Sequence, residues 1–97
     1  MSEVRLDRAR IGQTAVVVCL RPGDADGRGH ALAGQLAAEG IVAGALLTPE
    51  RRLPLGGPIV VAMGRARVAL GRDVARRLIV RAVAMDDGAG PDGGARA

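Results

Sequence analysis

The residues of this chain that could carry metal or redox chemistry are few and far apart. Cys19 and His30 are its single cysteine and its single histidine. Gln35 lies five residues after His30, and Glu39 lies four residues after Gln35, so these side chains could share a helix surface. A transition-metal site generally needs about three or four ligands, and Cys19 and His30 stand alone as soft ligands. We therefore expect no specific metal site and no cofactor.

The sequence also lacks the usual catalytic constellations. A phosphate-binding loop of the Gly-x-x-x-x-Gly-Lys type needs a lysine, and the chain contains none. Ser2 is the only serine and lies at the start of the chain, so no serine triad is predicted. The carboxylates are scattered through turns and the C-terminal stretch, with no pair held for acid–base work. We predict that the protein is not an enzyme and has no catalytic residues.

Charge and composition restrict the class of partner. The net charge is +4, all of the basic residues are arginines, and they are spread along the chain. Phe, Trp and Tyr are absent, which argues against stacking of single-stranded bases on aromatic side chains. The single Cys19 cannot form a disulfide within the chain, which is consistent with a reducing compartment. Since no signal-peptide core and no membrane-length apolar run are found, we predict a cytoplasmic protein. The spread of the arginines and the absence of aromatic side chains predict no nucleic-acid partner.

Periodicity predicts a mainly β domain with one short α-helix. β-branched runs bounded by turn residues predict strands over residues 14–20, 45–48, 59–63, 65–70 and 78–84. Residues 30–39 predict a helix, with Leu32 and Leu36 facing the core and Gly40 as a left-handed cap. Residues 73–77 predict a helical turn, and residues 23–29 and 49–58 predict loops. About five short strands with tight connections favour a small barrel, which would have no exposed sheet edge.

Two further expectations concern the interior and the end of the chain. Cys19 alternates with Ala15 and Val17, which predicts a buried thiol that fills the core. Residues 1–85 are predicted to form the single domain. Residues 86–97 are rich in Gly and Asp and carry no branched apolar side chain, so they are predicted to be a disordered tail.

Two glycine-containing turns, in a fixed order, are the most specific motifs of the sequence. The first is GIVAG over residues 40–44, and the second is LPLGGPI over residues 53–59. Together with the strands that follow, this order over residues 5–84 resembles the FeoA family, the small cytosolic accessory proteins of bacterial ferrous iron transport. Three positions depart from the family pattern. Ala43 stands where proline is usual, Gly57 where aspartate is common, and Glu39 where leucine or methionine is expected.

The resemblance implies an SH3-like barrel whose partner is FeoB, a large membrane transporter with a cytosolic G-protein domain. It implies no catalytic residues. Gly40 and Gly44 are predicted to be structural turn residues that need no ligand. The rigid proline–leucine segment is predicted to set the entry into the next strand and also to contact the partner, chiefly through Leu55. The predicted partner-binding residues are Leu53, Pro54, Leu55, Gly56 and Pro58.

Two alternatives stay open from the sequence. One is a metal-sensing regulatory module, similar to the C-terminal domains of diphtheria-toxin-repressor-type regulators, in which a divalent metal would raise thermal stability through His30 or Glu39. The other is a nucleic-acid-binding barrel, suggested by the arginine charge, whose affinity would fall steeply with salt. Contact with a membrane would come only through the transporter. Self-association into a dimer or a higher oligomer is also open.

Overall fold

The computed structural model describes residues 3–22 and 28–83, and for residues 28–31 it describes the backbone only. The strands are β1 (Glu3–Arg5), β2 (Ala15–Leu20), β3 (Leu46–Arg52), β4 (Ile59–Met63), β5 (Ala66–Leu70) and β6 (Leu78–Ala82). The helices are α1 (Arg28–Ala38) and the short α2 (Arg72–Arg77), and a 3-10 helix covers Leu6–Arg8. The predicted mainly β architecture is confirmed, with six strands in the described residues in place of about five.

The strands form one antiparallel sheet in the order β1-β6-β2-β3-β4-β5. The expectation of a barrel without edges is wrong in one respect, because no hydrogen-bonded ladder joins β5 to β1 among the described residues. The chain leaves β5 through Gly71 directly into α2, and α2 packs against the 3-10 helix and β1. A helix therefore fills the place where the two edge strands would meet.

The interior is aliphatic and draws on every helix and on five of the strands. Leu36 of α1 is buried and Leu32 packs against the same cluster, as predicted. In β5, Val68 and Leu70 face inward, whereas Ala66 at the turn end is exposed. The buried cluster comprises Leu6, Ala9, Ala15, Val17, Leu36, Ile41, Leu47, Ile59, Val61, Leu70, Ala75, Leu78 and Val80.

The end of α1 is fixed by a left-handed glycine, as the sequence predicts. Gly40 has φ +86°, its N–H donates to the carbonyl of Ala37 at 2.9 Å, and the N–H of Ile41 donates to the carbonyl of Leu36 at 2.9 Å. These two bonds form a Schellman motif. In this motif the two residues joined by the bond of wider sequence separation, here Ile41 and Leu36, commonly bring apolar side chains into contact. Ile41 and Leu36 are both in the buried cluster, so the turn docks the helix onto the sheet.

The prediction for β3 was too short, and β1 was missed. A loop was expected from Pro49 onward, but β3 continues to Arg52, with Pro49 fully buried and paired with Val61. An extra residue, Glu50, lies between the paired positions Pro49 and Arg51, which is a β-bulge. This irregular register hides the strand from a simple alternation pattern. The polar segment of β1 is held at the sheet edge by pairing with β6, which no local pattern indicates.

The prediction that Cys19 is buried is wrong. Cys19 is exposed, although Ala15 and Val17 on the same strand are buried. The pairing of β2 with β6 steps from Val17–Val80 to Cys19–Ile79, so Val18 is an extra residue that forms a bulge. Because strand side chains alternate with a period of two, one inserted residue sends the next side chain to the opposite face.

Other expectations fall partly or wholly beyond the described residues. The predicted tail over residues 86–97 lies outside them, as does most of the predicted loop over residues 23–29. Of that loop, Arg28 and Gly29 are described and belong to α1. The helical turn predicted over residues 73–77 is present as α2.

Candidate functional site

The segment that connects β3 to β4, residues 53–58, forms a sharp projecting turn that we name the docking corner. The N–H of Leu53 donates to the carbonyl of Pro58 at 3.0 Å, and the N–H of Gly57 donates to the carbonyl of Pro54 at 3.0 Å. Leu55 and Gly56, the two residues at the tip, have φ +59° and +71°. Positive φ at both central positions is the pattern of a type I′ hairpin turn.

Leu55 has an unusual conformation for its residue type. Left-handed backbone costs about 1–2 kcal/mol for an L-residue with a side chain, and Asn or Gly is the common choice at this turn position. No packing offsets that cost, since the relative exposure of Leu55 is 103%. Leu55 is also the only non-glycine residue with positive φ in the described part of the chain. Leucine at this position therefore gives the fold no packing gain and costs it backbone strain.

The other predicted contact residues lie around Leu55, and their exposure decreases from the tip of the turn to its base. Pro54 and Gly56 are exposed beside it, while Leu53 and Pro58 are half-buried at the base. The corner is compact. A Cβ atom at Gly57 would lie 3.0 Å from the carbonyl oxygen of Pro54 and 3.1 Å from the Cβ of Leu53. The glycine at 57 therefore permits this tight form of the turn.

Two arginines brace the docking corner, one by direct contact and the other through the strand that leads into it. Arg72, the first residue of α2, donates from Nε to the carbonyl of Gly57 at 2.7 Å and from a terminal nitrogen to the carbonyl of Leu53 at 3.3 Å. At the end of β3, Arg52 donates from Nε to the carbonyl of Asp7 at 3.1 Å and from a terminal nitrogen to that of Ala9. Sequence reasoning missed both roles, because the carbonyl that an arginine meets is set by tertiary structure and leaves no local signal.

One exposed ion pair lies on the strands next to the corner. Arg67 of β5 donates to a carboxylate oxygen of Glu50 at 2.7 Å. This hydrogen bond, and then the attraction of the Glu50 charge, raise the pKa of Arg67 above its ordinary value.

The residues considered for metal chemistry are not brought together in the described part of the chain. No group of three or more His, Cys, Asp or Glu side chains that could hold a metal ion is found among residues 3–22 and 28–83. Cys19 is exposed on β2, Glu39 is exposed just after α1, and the side chain of His30 lies outside the described part. Gly40 and Gly44, with φ +86° and +92°, act as turn residues.

Two shallow grooves lie on the described surface. One, of about 340 Å³, lies between α1 and β2 and is lined mainly by apolar side chains, including Leu36, Ile41 and Val42. The other, of about 350 Å³, lies beside β1 and the 3-10 helix and has Arg8 and Arg10 among its lining residues. Both are at the small end of ligand-pocket volumes, which run from about 300 to 1,000 Å³.

Among the residues described, no helix has the length and apolar character needed to cross a membrane.

An antiparallel sheet of short strands, one capping helix and a projecting hairpin define a small SH3-like β domain. Comparison with protein families places it more closely. The FeoA domain model matches residues 4–82, and the chain belongs to the FeoA domain family. This confirms the resemblance seen in the sequence. The family is linked to ferrous iron transport and is a small accessory domain rather than a known enzyme family.

Solved structures support the same assignment. FeoA of Chlorobium tepidum is 28% identical with a TM-score of 0.70, over 88% of this chain and 75% of that one. The zinc-complexed FeoA of Stenotrophomonas maltophilia, described as a prokaryotic SH3 domain protein, is 28% identical with a TM-score of 0.63, over 78% and 87%. A manganese-dependent transcriptional repressor in complex with manganese is 27% identical with a TM-score of 0.70, over 86% of this chain but only 38% of its own length. No curated protein sequence matches the chain.

Proposed function

We propose that this protein is a cytoplasmic accessory protein of bacterial ferrous iron uptake, which binds the cytosolic part of a FeoB-type transporter through the docking corner. The observation that carries the proposal is Leu55, a fully exposed apolar side chain with φ +59° at the tip of a turn held by Arg72. The membership of the FeoA family supplies the transport context.

The corner has the physical properties of a small protein-binding hot spot. Burial of a leucine side chain in a partner pocket contributes about 1.5–3 kcal/mol. The turn is already closed by its own hydrogen bonds and by Arg72, so little further ordering is needed when the partner binds. Pro54, exposed beside Leu55, adds apolar surface with almost no side-chain entropy to lose. The net charge of +4 favours a partner surface that carries carboxylates.

Regulation of transport requires more than binding. A bound protein shifts the equilibrium between two transporter states only by the ratio of its affinities for them. Since the transporter carries a G-protein domain, the proposal predicts that affinity depends on the bound nucleotide. A tenfold difference in Kd between the GDP and GTP states would shift the equilibrium by about 1.4 kcal/mol.

The test is a titration of the purified chain with the cytosolic domain of the transporter from the same organism, without nucleotide, with GDP and with a GTP analogue. Calorimetry should show binding that is strongest in one nucleotide state. Leu55→Ala should weaken it by about 2 kcal/mol, or roughly thirtyfold in Kd, because it removes most of the buried apolar side chain. Leu46→Ala is the matched control, since Leu46 is an exposed leucine (relative exposure 56%) at the other end of β3. Absence of binding in every state, or equal effects of the two variants, would contradict the proposal.

A second function, metal sensing, is favoured by one observation. The fold matches part of a manganese-dependent repressor with a TM-score of 0.70 at 27% identity. Under this alternative, Mn²⁺ or Fe²⁺ alone would raise the unfolding temperature of the isolated chain, and His30→Ala or Glu39→Ala would abolish the shift. A chain whose unfolding temperature is the same with and without the metals would exclude this function.

A further inference from the structure

Arg72 donates both of its observed hydrogen bonds to the docking corner. Its Nε bonds the carbonyl of Gly57 at 2.7 Å, and a terminal nitrogen bonds that of Leu53 at 3.3 Å. These carbonyls lie on the two sides of the tip, so one planar guanidinium bridges the base of the turn. Among the ion pairs between described residues, none involves Arg72. Its hydrogen-bonding capacity is therefore directed at the backbone of the corner, 15 and 19 residues away in sequence.

The corner needs such an external constraint. A leucine with φ +59° has an easier conformation available as soon as the turn loosens. Strained backbone of this kind persists only where the surrounding structure over-determines it. The turn itself supplies two backbone bonds, Leu53 to Pro58 and Gly57 to Pro54. Arg72 binds the carbonyls of Leu53 and Gly57, the two residues whose N–H groups donate these bonds, and so restricts the tip between them.

The helix that carries Arg72 is itself rigidly placed. Ala75, one turn further along α2, is fully buried in the core, and α2 packs against the 3-10 helix, β1 and β6. From the other side, Arg52 ties the end of β3 to carbonyls of Asp7 and Ala9, next to the same 3-10 helix. Both ends of the corner are thus connected to the region of the 3-10 helix, one through Arg52 and the other through α2. Arg52 fixes the strand that enters the corner, whereas Arg72 contacts the corner directly.

We propose that Arg72 is a positioning residue of the docking corner, which holds Leu55 in its outward, left-handed conformation so that the partner meets a preorganised apolar contact. The identity of the partner in this inference rests on the proposed function. The effect of Arg72 on the turn does not depend on it. A bidentate geometry of this kind requires the planar fork of arginine. A lysine ammonium carries the same charge but has a different donor geometry and would retain one of the two bonds.

The experiment compares the wild-type chain with Arg72→Gln, Arg72→Lys and the control Arg76→Gln. Arg76 lies on the same helix, is exposed and pairs with Asp73, so its replacement makes the same charge change away from the corner. Backbone ¹⁵N relaxation should give order parameters of about 0.85 at Leu55 and Gly56 in the wild type and in Arg76→Gln. Arg72→Gln should lower both to below about 0.6, while strand residues keep their values. Thermal unfolding checks that each variant is folded. If Arg72→Gln does not fold, the relaxation comparison is made with Arg72→Lys instead.

The binding titration with the transporter's cytosolic domain then tests the link to docking. Freeing about one backbone residue corresponds to roughly tenfold weaker binding for Arg72→Gln, with Arg72→Lys intermediate and Arg76→Gln close to the wild type. Unchanged order at Leu55 in both Arg72 variants, or an affinity loss no larger than that of Arg76→Gln, would overturn the inference. Failure of the wild type to bind would overturn the docking role together with the proposed function. The relaxation data need no partner, so they distinguish that failure from an error about the turn.

Discussion

Replacement of Leu55 by asparagine should make the fold more stable while it removes docking. Leu55 is fully exposed, with a relative exposure of 103%, so the substitution removes no buried surface from the protein itself. Its φ of +59° lies in the left-handed region, where leucine is disfavoured by about 1–2 kcal/mol. Asparagine tolerates this region because its short polar side chain can hydrogen-bond locally. The residue type preferred by the turn and the residue type needed for binding are therefore different.

The expected gain follows from these two facts. Asparagine recovers part of the left-handed penalty, and no packing term opposes it, so the free energy of unfolding should rise by about 0.5–1 kcal/mol. For a domain of this size that corresponds to an increase in Tm of about 2–8 °C. Leu55→Ala keeps the Cβ atom and hence the strain. Its stability should therefore stay within about 0.5 kcal/mol of the wild type.

Urea denaturation followed by far-UV circular dichroism is the suitable assay, since the chain has no Trp, Tyr or Phe to report by fluorescence. The titration with the transporter's cytosolic domain is run on the same samples. Leu55→Asn and Leu55→Ala should both lose affinity, and only Leu55→Asn should gain stability. A loss of stability in Leu55→Asn would refute the assignment of strain to this residue. Full affinity in both variants would refute its assignment to the partner contact.

Three further predictions concern the fold that supports the corner. Gly40→Ala should destabilise the protein by about 1–2 kcal/mol, because φ is +86° and the added Cβ meets only Met63 Cε at an ordinary 4.0 Å, so the cost lies in the backbone. Gly34→Ala, inside α1 with open space around its Cβ, should instead stabilise by about 0.5–1 kcal/mol, and chemical denaturation of the pair measures the contrast. Cys19, which is exposed, should react with a disulfide reagent in the native protein at a rate within about tenfold of that in urea. Arg52→Gln should cost about 1 kcal/mol by loss of its carbonyl contacts, whereas Arg51→Gln on the same strand should stay within about 0.5 kcal/mol.

The outcomes that contradict these predictions are equally specific. Equal effects of the two glycine substitutions would show that backbone conformation does not govern the end of α1. A thiol at Cys19 that reacts only after unfolding would mean that the bulge in β2 is absent and the strand keeps its simple alternation. Similar stability of Arg52→Gln and Arg51→Gln would remove the brace between β3 and the 3-10 helix.

Elements with regular local patterns were predictable from the sequence. The β-branched run of β2, the alternation of β5 and the alanine-rich α1 all occur close to where the periodicity places them. Gly40 was identified as the left-handed end of α1 because only its lack of a Cβ atom makes that conformation easy. The position of the turn within residues 53–58 was also predictable, since proline and glycine restrict the backbone within a few residues of themselves. In each case the cause and the effect are neighbours in the chain.

The errors arose where one extra residue or a distant contact decided the outcome. Val18 and Glu50 each add one residue to a strand, which exposes Cys19 and carries β3 on past Pro49. The sequence cannot reveal such a bulge, because it exists only in relation to the partner strand. The six-stranded order likewise depends on β1, whose three residues are a strand only because β6 lies beside them.

The sequence by itself determined the aliphatic core, the helix with its glycine end, the family and the position of the turn between β3 and β4, because each depends on residue types within one short segment. Only the tertiary structure decided that Leu55 projects into solvent in a strained conformation, and that Arg72 and Arg52 brace the corner. An arginine can donate to any carbonyl within reach of its side chain. Which carbonyls those are is fixed when α2 and the strands pack together, and by nothing in the neighbouring residues.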